Sequence, residues 1–309
     1  MSYPQFTVVI PLYNKVHQIE ATLRSVIAQR YQPLEIIVVD DGSTDGSAEK
    51  VEAIPSPLIH LVSQPNQGVC VARNRGILLA RGSHVVFLDA DDQWKEDFLA
   101  EQAALIGDFP EAGLYTTAFE IQSREGIFPA PCPKTRGLVE HFFRDSAHRY
   151  IAIPSTACIP RSVFEQVGLF PEGMKIGEDL YMWILIARRY RVCFSPKILC
   201  RYSRCAENRS ASSYTPEKTK YSFEDLYDPT ADEDDREFVA RAALGKALVQ
   251  CIKGGTDEAR RAARFFSYTK VYRRTLLKVR WLCRMPRPWR AQVMNLYDWL
   301  AWKIAKKGL

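Results

Sequence analysis

The chain has 309 residues, 47% hydrophobic and 25% charged, with a net charge of +6. That is globular composition, long enough for one large domain plus an appendage. No apolar run approaches the ~18–20 residues of a membrane span. Met1–Phe6 lacks a basic segment followed by an apolar one, so no leader peptide is expected.

The eight cysteines include no Cys-x-x-Cys, and several, such as Cys158 and Cys193, sit among apolar residues. They read as reduced thiols of a cytosolic protein rather than as disulfides or a zinc site. The charge is unevenly spread. Arg260–Leu309 holds 14 Lys or Arg against one acid, Asp298, giving +13 and leaving −7 on the preceding residues. A mildly acidic body with a basic tail points to an anionic surface as the tail's partner.

Phe6–Pro11 reads as a buried strand, followed by the loop Leu12, Tyr13 and Asn14. Ile19, Leu23, Val26 and Ile27 recur at helical spacing. Glu35–Val39 is a second strand, running into Asp40-Asp41-Gly42-Ser43-Thr44-Asp45-Gly46. That stretch suits either a phosphate cradle or a helix-capping turn. Leu58–Val62 is a third strand, Gln67–Ala80 a helix carrying Arg73, and His84–Leu88 a fourth strand. Further on, Phe98–Ile106 reads as helix, Gly113–Glu120 as strand, Ser123–Pro133 as loop and Leu138–Phe143 as a short helix. Pro154–Ile159 reads as strand, Arg161–Val167 and Leu180–Arg189 as helices, and Arg191–Phe194 and Ile198–Tyr202 as closing strands. Short strands alternating with helices predict β-α-β units and a mostly parallel, Rossmann-like α/β sheet. The domain expectation is a catalytic body over 1–205, a polar, acidic linker over 206–237 and a basic helical region over 238–309.

Three strand ends carry unusual polar groups: Pro11–Asn14, Asp40-Asp41, and Asp89, Asp91 and Asp92 after V-V-F-L. Ligands bind at the carboxyl ends of strands in such sheets. Three carboxylates within four residues repel one another, so a fold has no stability reason to gather them. They suggest a place for a divalent cation and a phosphate. Asp232-Glu233-Asp234 repeats the spacing but follows no strand, and reads as solvated linker. Glu178-Asp179 opens the most apolar helix, where amide N–H groups favour an anion. A plain helix cap and a catalytic carboxylate both fit it there. No Gly-x-Gly-x-x-Gly follows the first strand and no P-loop pattern occurs, which removes the main support for a dinucleotide oxidoreductase or a P-loop nucleotidase.

Five ordered motifs carry a family resemblance. Phe6–Asn14 (F-T-V-V-I-P-L-Y-N), Val38–Asp45 (V-V-D-D-G-S-T-D), Asn66–Gly68 with Ala72–Gly76 (A-R-N-R-G), Phe87–Asp92 (F-L-D-A-D-D) and Gly177–Asp179 (G-E-D) together resemble the family-two inverting glycosyltransferases of the GT-A fold. The resemblance implies a nucleoside diphosphate sugar donor, most often of uridine or thymidine, and Mg²⁺ or Mn²⁺. It implies that Pro11 and Tyr13 flank the base and ribose, that Asp41 bonds the base with Asp40 beside it, and that Arg73 lies near base or diphosphate. Asp89 would face ribose or sugar, Asp91 would ligate the metal, and Asp179 would be the general base. Hard oxygen ligands suit these cations. Asp92, Trp94 and Glu178 are further candidates for substrate contact; Trp94 suits stacking on a sugar and anchoring the next helix equally. One departure is that Tyr202–Ser210 lacks the histidine many relatives carry, leaving Arg204, Glu207 or Arg209 to replace it.

In the tail, Tyr268, Val271, Tyr272, Val279 and Leu282 share a helical face, and Trp289, Val293, Leu296, Leu300 and Ile304 form a second stripe ending in Lys303, Lys306 and Lys307. Basic amphipathic helices with Trp lie in membrane interfaces, so the tail is expected either to touch the inner face of the cell membrane, beside a lipid-linked or glycan acceptor, or to pack as a helical subdomain or dimer face. Nucleic acid is not expected. The expected function is an inverting sugar transferase in bacterial surface polysaccharide synthesis. A sugar-1-phosphate nucleotidyltransferase and a non-catalytic nucleotide-sugar sensor are the competing readings.

Overall fold

A computed structural model describes residues 3–147, 149–205 and 219–293. The chain divides into two compact units, Met1–Ser213 and Tyr214–Leu309.

The first unit is built on a ten-stranded sheet among the described residues. In chain order it contains β1 (Phe6–Leu12), α1 (Ile19–Ile27), β2 (Glu35–Asp40), α2 (Ser47–Glu52), β3 (Ile59–Ser63), α3 (Val69–Leu79), β4 (His84–Phe87) and β5 (Gln93–Trp94). There follow α4 (Phe98–Asp108), β6 (Ala112–Ser123), β7 (Gly126–Pro129), β8 (Gly137–Val139), α5 (Phe142–Ser146), β9 (Cys158–Pro160), α6 (Arg161–Val167), α7 (Glu178–Ala187) and β10 (Arg191–Ser203). The strand order is β3-β2-β1-β4-β9-β6-β10-β5, with β7 on β6 and β8 on β10. β1 pairs parallel with both β2 and β4, while β9 runs antiparallel to β4. The winding reverses between β1 and β4, and such a switch point opens a crevice at the strands' carboxyl ends.

Alternation along β1 sets the layers. Val8, Ile10 and Leu12 face a core shared with Ile19, Leu23 and Val26 of α1 and Phe98 and Leu99 of α4. Val9 faces the other core, with Ile77 of α3, Phe164 of α6 and Met182 and Trp183 of α7. Gly76 lets α3 lie close on the sheet: a Cβ there would meet Val9 Cγ1 at 2.3 Å.

Several elements differ from the sequence reading. Ser123–Pro133, expected as loop, contains β7, which returns along β6 through a tight turn at Gly126. The expected helix over Leu138–Phe143 splits into the end of β8 and the start of α5. The expected strand over Pro154–Ile159 begins as a 3-10 turn at Pro154–Thr156, because proline has no N–H for the ladder. The two closing strands are one, β10, whose register shifts around Pro196 for the same reason.

The second unit contains α8 (Glu233–Lys253), α9 (Thr256–Phe265) and α10 (Arg273–Leu282). The acidic run expected as linker starts α8: Asp232 accepts the Asp235 N–H at 2.8 Å, and Glu233, Asp234 and Asp235 fill the first turn. Carboxylates there stabilise the helix through the unpaired N–H groups and the dipole. The expected single face Tyr268–Leu282 also divides. Of its members Val279 and Leu282 are buried, Tyr268 and Tyr272 are partly buried and Val271 is exposed; outside it, Leu276 is buried and Leu277 and Trp281 are exposed. Trp289 is exposed as well. Leu296, Leu300, Ile304 and the lysines at 303, 306 and 307 lie outside the described residues. No described helix is long and apolar enough to cross a membrane.

Candidate active site

The loops after β1 and β2 are stitched together. Asn14, the one described non-glycine residue at positive φ (51°), donates its N–H to Ser43 Oγ at 3.0 Å and accepts from Thr44 N–H at 2.8 Å. Asparagine tolerates this conformation better than most side chains. Lys15 N–H donates to Ser47 Oγ at 2.8 Å, and Val16 N–H to Asp45 Oδ2 at 3.0 Å. Tyr13 at the loop's apex is 44% exposed, and Pro11 is partly buried at the strand end.

Asp40 and Asp41 are both buried. Asp40 accepts the Ser43 N–H at 3.1 Å. Asp41 clamps the segment leading into α3: Oδ1 accepts from Gln64 Nε2 at 2.8 Å and Gln67 N–H at 2.9 Å, and Oδ2 from Gly68 N–H at 2.7 Å. A carboxylate has about four acceptor directions, and these bonds fill three of those of Asp41.

The acidic cluster after β4 divides into three roles. Asp89 Oδ1 takes Arg73 Nη2 at 2.8 Å, while the Asp89 N–H donates to Ser155 Oγ at 3.1 Å. Asp91 Oδ2 pairs with Lys15 Nζ at 2.8 Å. Burial pushes the Asp91 carboxyl upward, against the Lys15 ammonium. Asp92 is fully buried; it accepts the Ser155 hydroxyl and, at 2.8 Å, the Ser203 N–H at the end of β10. Burial, with Asp89 and Asp91 adding repulsion, pushes it well above the usual carboxylate range. Asp92 therefore ties β4 to β10, and its expected substrate contact is corrected. Of the two roles open to Trp94, it takes the anchoring of the next helix. It is buried, stacks on Phe98 at 4.1 Å and donates Nε1–H to the Ser155 carbonyl at 2.7 Å, so no face is left for a sugar.

Arg73, buried on α3, joins this cluster to the start of α7. Its Nη1 reaches Glu178 Oε1 at 3.1 Å, and its guanidinium lies over the Phe170 ring at 5.3 Å. Burial alone would lower its affinity for a proton, but Asp89 and Glu178 outweigh that and hold the charge. With both terminal nitrogens in ion pairs, Arg73 is a strut between Asp89 and Glu178, and among the described residues its Nε has no hydrogen-bond partner. Glu178 is held by Arg73 on the protein side. Burial and neighbouring Asp179 push its carboxyl up to about 7, against Arg73. Asp179, in the first turn of α7, accepts the Leu180 N–H at 2.8 Å. Burial raises it, the Leu180 N–H and Arg73 oppose, and Asp89 adds repulsion. Asp179 is thus in electrostatic reach of both Arg73 and Asp89.

Lys15 and Ser155 were missed in the sequence. Lys15 lies three residues past the end of β1, which was a usable signal; Ser155 lies in a turn with no pattern. Of the residues weighed in place of a histidine, Arg204 is exposed and donates its N–H to the Gln122 carbonyl at 2.8 Å, whereas Glu207 and Arg209 lie outside the described residues.

Among the described residues no three His, Cys, Asp or Glu side chains are gathered for a metal. Mg²⁺ seldom needs such a cage, since one or two carboxylates and substrate phosphates commonly hold it. Asp91 already accepts a cation, the Lys15 ammonium, so the donor chemistry fits.

Residues 7–168 match the model of glycosyl transferase family 2. YibD of Escherichia coli, an uncharacterized glycosyltransferase, is 46% identical over 91 residues, which is 29% of this chain and 26% of YibD. TuaG of Bacillus subtilis, named for teichuronic acid biosynthesis, is 30% identical over 190 residues, 60% of this chain and 73% of TuaG. AmsB of Erwinia amylovora, an amylovoran biosynthesis glycosyltransferase, is 40% identical over 108 residues, 33% of this chain and 35% of AmsB. The chain thus spans about a quarter of YibD's length and about a third of AmsB's. The solved structure of S. aureus TarS 1-349 with UDP-GlcNAc superposes with a TM-score of 0.62 at 22% identity, covering 89% of this chain and 79% of that one. The fold is therefore of the GT-A type, and the chain belongs to glycosyl transferase family 2.

Proposed function

We propose that the protein transfers a sugar from a nucleoside diphosphate sugar to a hydroxyl acceptor with inversion, in the synthesis of a bacterial surface polysaccharide. The observation that carries this is the convergence at the β1/β4 switch point. The β1 loop reaches Asp91 through Lys15, and Arg73 links Asp89 to the α7 start that bears Asp179. TarS binds UDP-GlcNAc at this fold, and the names of TuaG and AmsB support a polysaccharide product.

In this reading Tyr13 and Pro11 border the base, and Asp41 bonds it. Asp89 faces the ribose or sugar. Asp91 would hold a divalent cation, Mg²⁺ or Mn²⁺, which would neutralise the charge that gathers on the departing diphosphate. Asp179 takes the acceptor's proton while the acceptor oxygen bonds to the anomeric carbon and the bond to the diphosphate breaks on the opposite side. One displacement inverts the centre and needs no covalent sugar–enzyme intermediate. A positioned base contributes ~10²–10⁴-fold. Assay of a donor panel tests the reading: Asp179→Asn is expected to keep donor affinity and lose turnover by about that factor. Equal turnover in the variant refutes the assignment of the base.

The same proposal includes contact with an anionic membrane through α10. Arg274, Leu277, Trp281 and Arg284 recur at helical spacing and are exposed, the pattern of an interfacial helix.

A further inference from the structure

Lys15 stands at the switch point between β1 and β4. Its ammonium is 2.8 Å from Asp91 Oδ2, with 11% and 14% of the two side chains exposed. Its backbone is fixed through Ser47 Oγ, so the pair is set by the stitched loop. Of the cluster's three carboxylates, Asp92 turns inward to Ser155 and Ser203, and Asp89 is engaged by Arg73. Asp91 alone is paired with a lysine, whose flexible stem carries a compact charge able to change partner.

We propose that Lys15 is an exchangeable counter-charge. It neutralises Asp91 while the donor is absent and turns to the diphosphate when a divalent cation replaces it, so that cation and nucleotide bind as a coupled pair. This rests on the donor reading above. A cation arriving alone must displace the ammonium and strand a largely buried positive charge beside itself. With a diphosphate present, the released ammonium meets phosphate oxygens, for which lysine is a common partner. The coupling is reciprocal: the factor by which nucleotide tightens cation binding is the factor by which cation tightens nucleotide binding. Lys15 is then a positioning residue that sets the order of assembly.

Calorimetric titration of the full chain tests this, using Mn²⁺ and UDP or dTDP, each alone and in the presence of the other. The wild type is expected to show coupling of about 5–150-fold. Lys15→Met is expected to bind Mn²⁺ alone about tenfold more tightly, to bind the nucleotide without metal more weakly, and to show smaller coupling. Lys15→Arg, which keeps the charge, is expected to hold Mn²⁺ alone as weakly as the wild type. Lys15→Gln gives the same readout as Lys15→Met should the latter not fold. Unchanged or weaker Mn²⁺ binding in the charge-removing variants, with nucleotide still bound, overturns the exchange alone. A wild type that binds neither UDP nor dTDP with Mn²⁺ overturns the donor reading itself.

Discussion

Asp179 can act as a base only when ionised, and its surroundings decide at which pH that happens. Burial raises its pKa, and Asp89 adds repulsion, against the Leu180 N–H and Arg73. A raised pKa keeps the base protonated at mildly acid pH. Turnover should therefore climb through an acid limb lying above the ordinary aspartate range, and fall away as pH drops through it. Glu178, pushed up to about 7, titrates together with its neighbour. Asp89→Asn removes the negative charge that repels the Asp179 carboxylate and should move that limb to lower pH. A kcat–pH profile of wild type and variant checks both, and an unmoved limb in Asp89→Asn refutes that repulsion. Residue identities in this cluster were legible from V-V-F-L-D-A-D-D and G-E-D, but their division of labour was not. Asp91 and Asp92 are adjacent in the chain and chemically alike. One meets Lys15 and stays partly exposed, while the other meets Ser155 and Ser203 in the core. That split depends on partners 63 and 111 residues away along the chain, which local pattern does not carry. Trp94 was equally ambiguous until its stacking on Phe98 became visible.

At the scale of elements, the strands that build the site were legible because a strand buried on both faces reads as a continuous apolar run. β1, β2 and β4 are such strands. The less regular pieces were not: β7 is short and exposed, and β10 carries a proline that interrupts its pattern. The acidic start of α8 was misread because a linker and the first turn of a helix favour the same carboxylates. α3 shows how an element holds the site in register. It carries Arg73 and Asp41's clamped segment leads into it, and Gly76 sets its distance from β1. A Cβ at Gly76 would lie 2.3 Å from Val9 Cγ1 and 2.9 Å from Cγ2. Val9 is fully buried, so either helix or strand must move. Gly76→Ala is expected to destabilise the fold by about 1–3 kcal/mol through overpacking, despite alanine's better helix propensity. Urea unfolding reads this as a lower midpoint at unchanged slope. A stabilised variant would mean that α3 stands farther from the sheet.

At the scale of the whole molecule, the charge division bears on where the protein works. The last fifty residues carry +13 and the rest −7, so a negatively charged surface attracts one end of the chain and repels the other. On α10 the exposed apolar side chains Leu277 and Trp281 stand one turn apart, with Arg273, Arg274, Arg280 and Arg284 also exposed around them. Leu276, Val279 and Leu282 face inward, so the outer face is available without unfolding the helix. Each arginine near an anionic leaflet contributes on the order of 1 kcal/mol, and the apolar pair adds its own burial. Charge attraction alone fades as salt shortens its range to about 3 Å at 1 M, while apolar insertion does not. The protein should therefore sediment with vesicles containing phosphatidylglycerol at low salt, stay in solution with pure phosphatidylcholine, and be largely released at high salt. Leu277→Ser with Trp281→Ser should weaken retention on anionic vesicles at every salt concentration, whereas Arg274→Gln with Arg284→Gln should flatten the salt dependence. Absence of retention on anionic vesicles at low salt, or equal retention on neutral ones, would refute a charge-guided membrane contact and leave the outer face of α10 to a protein partner.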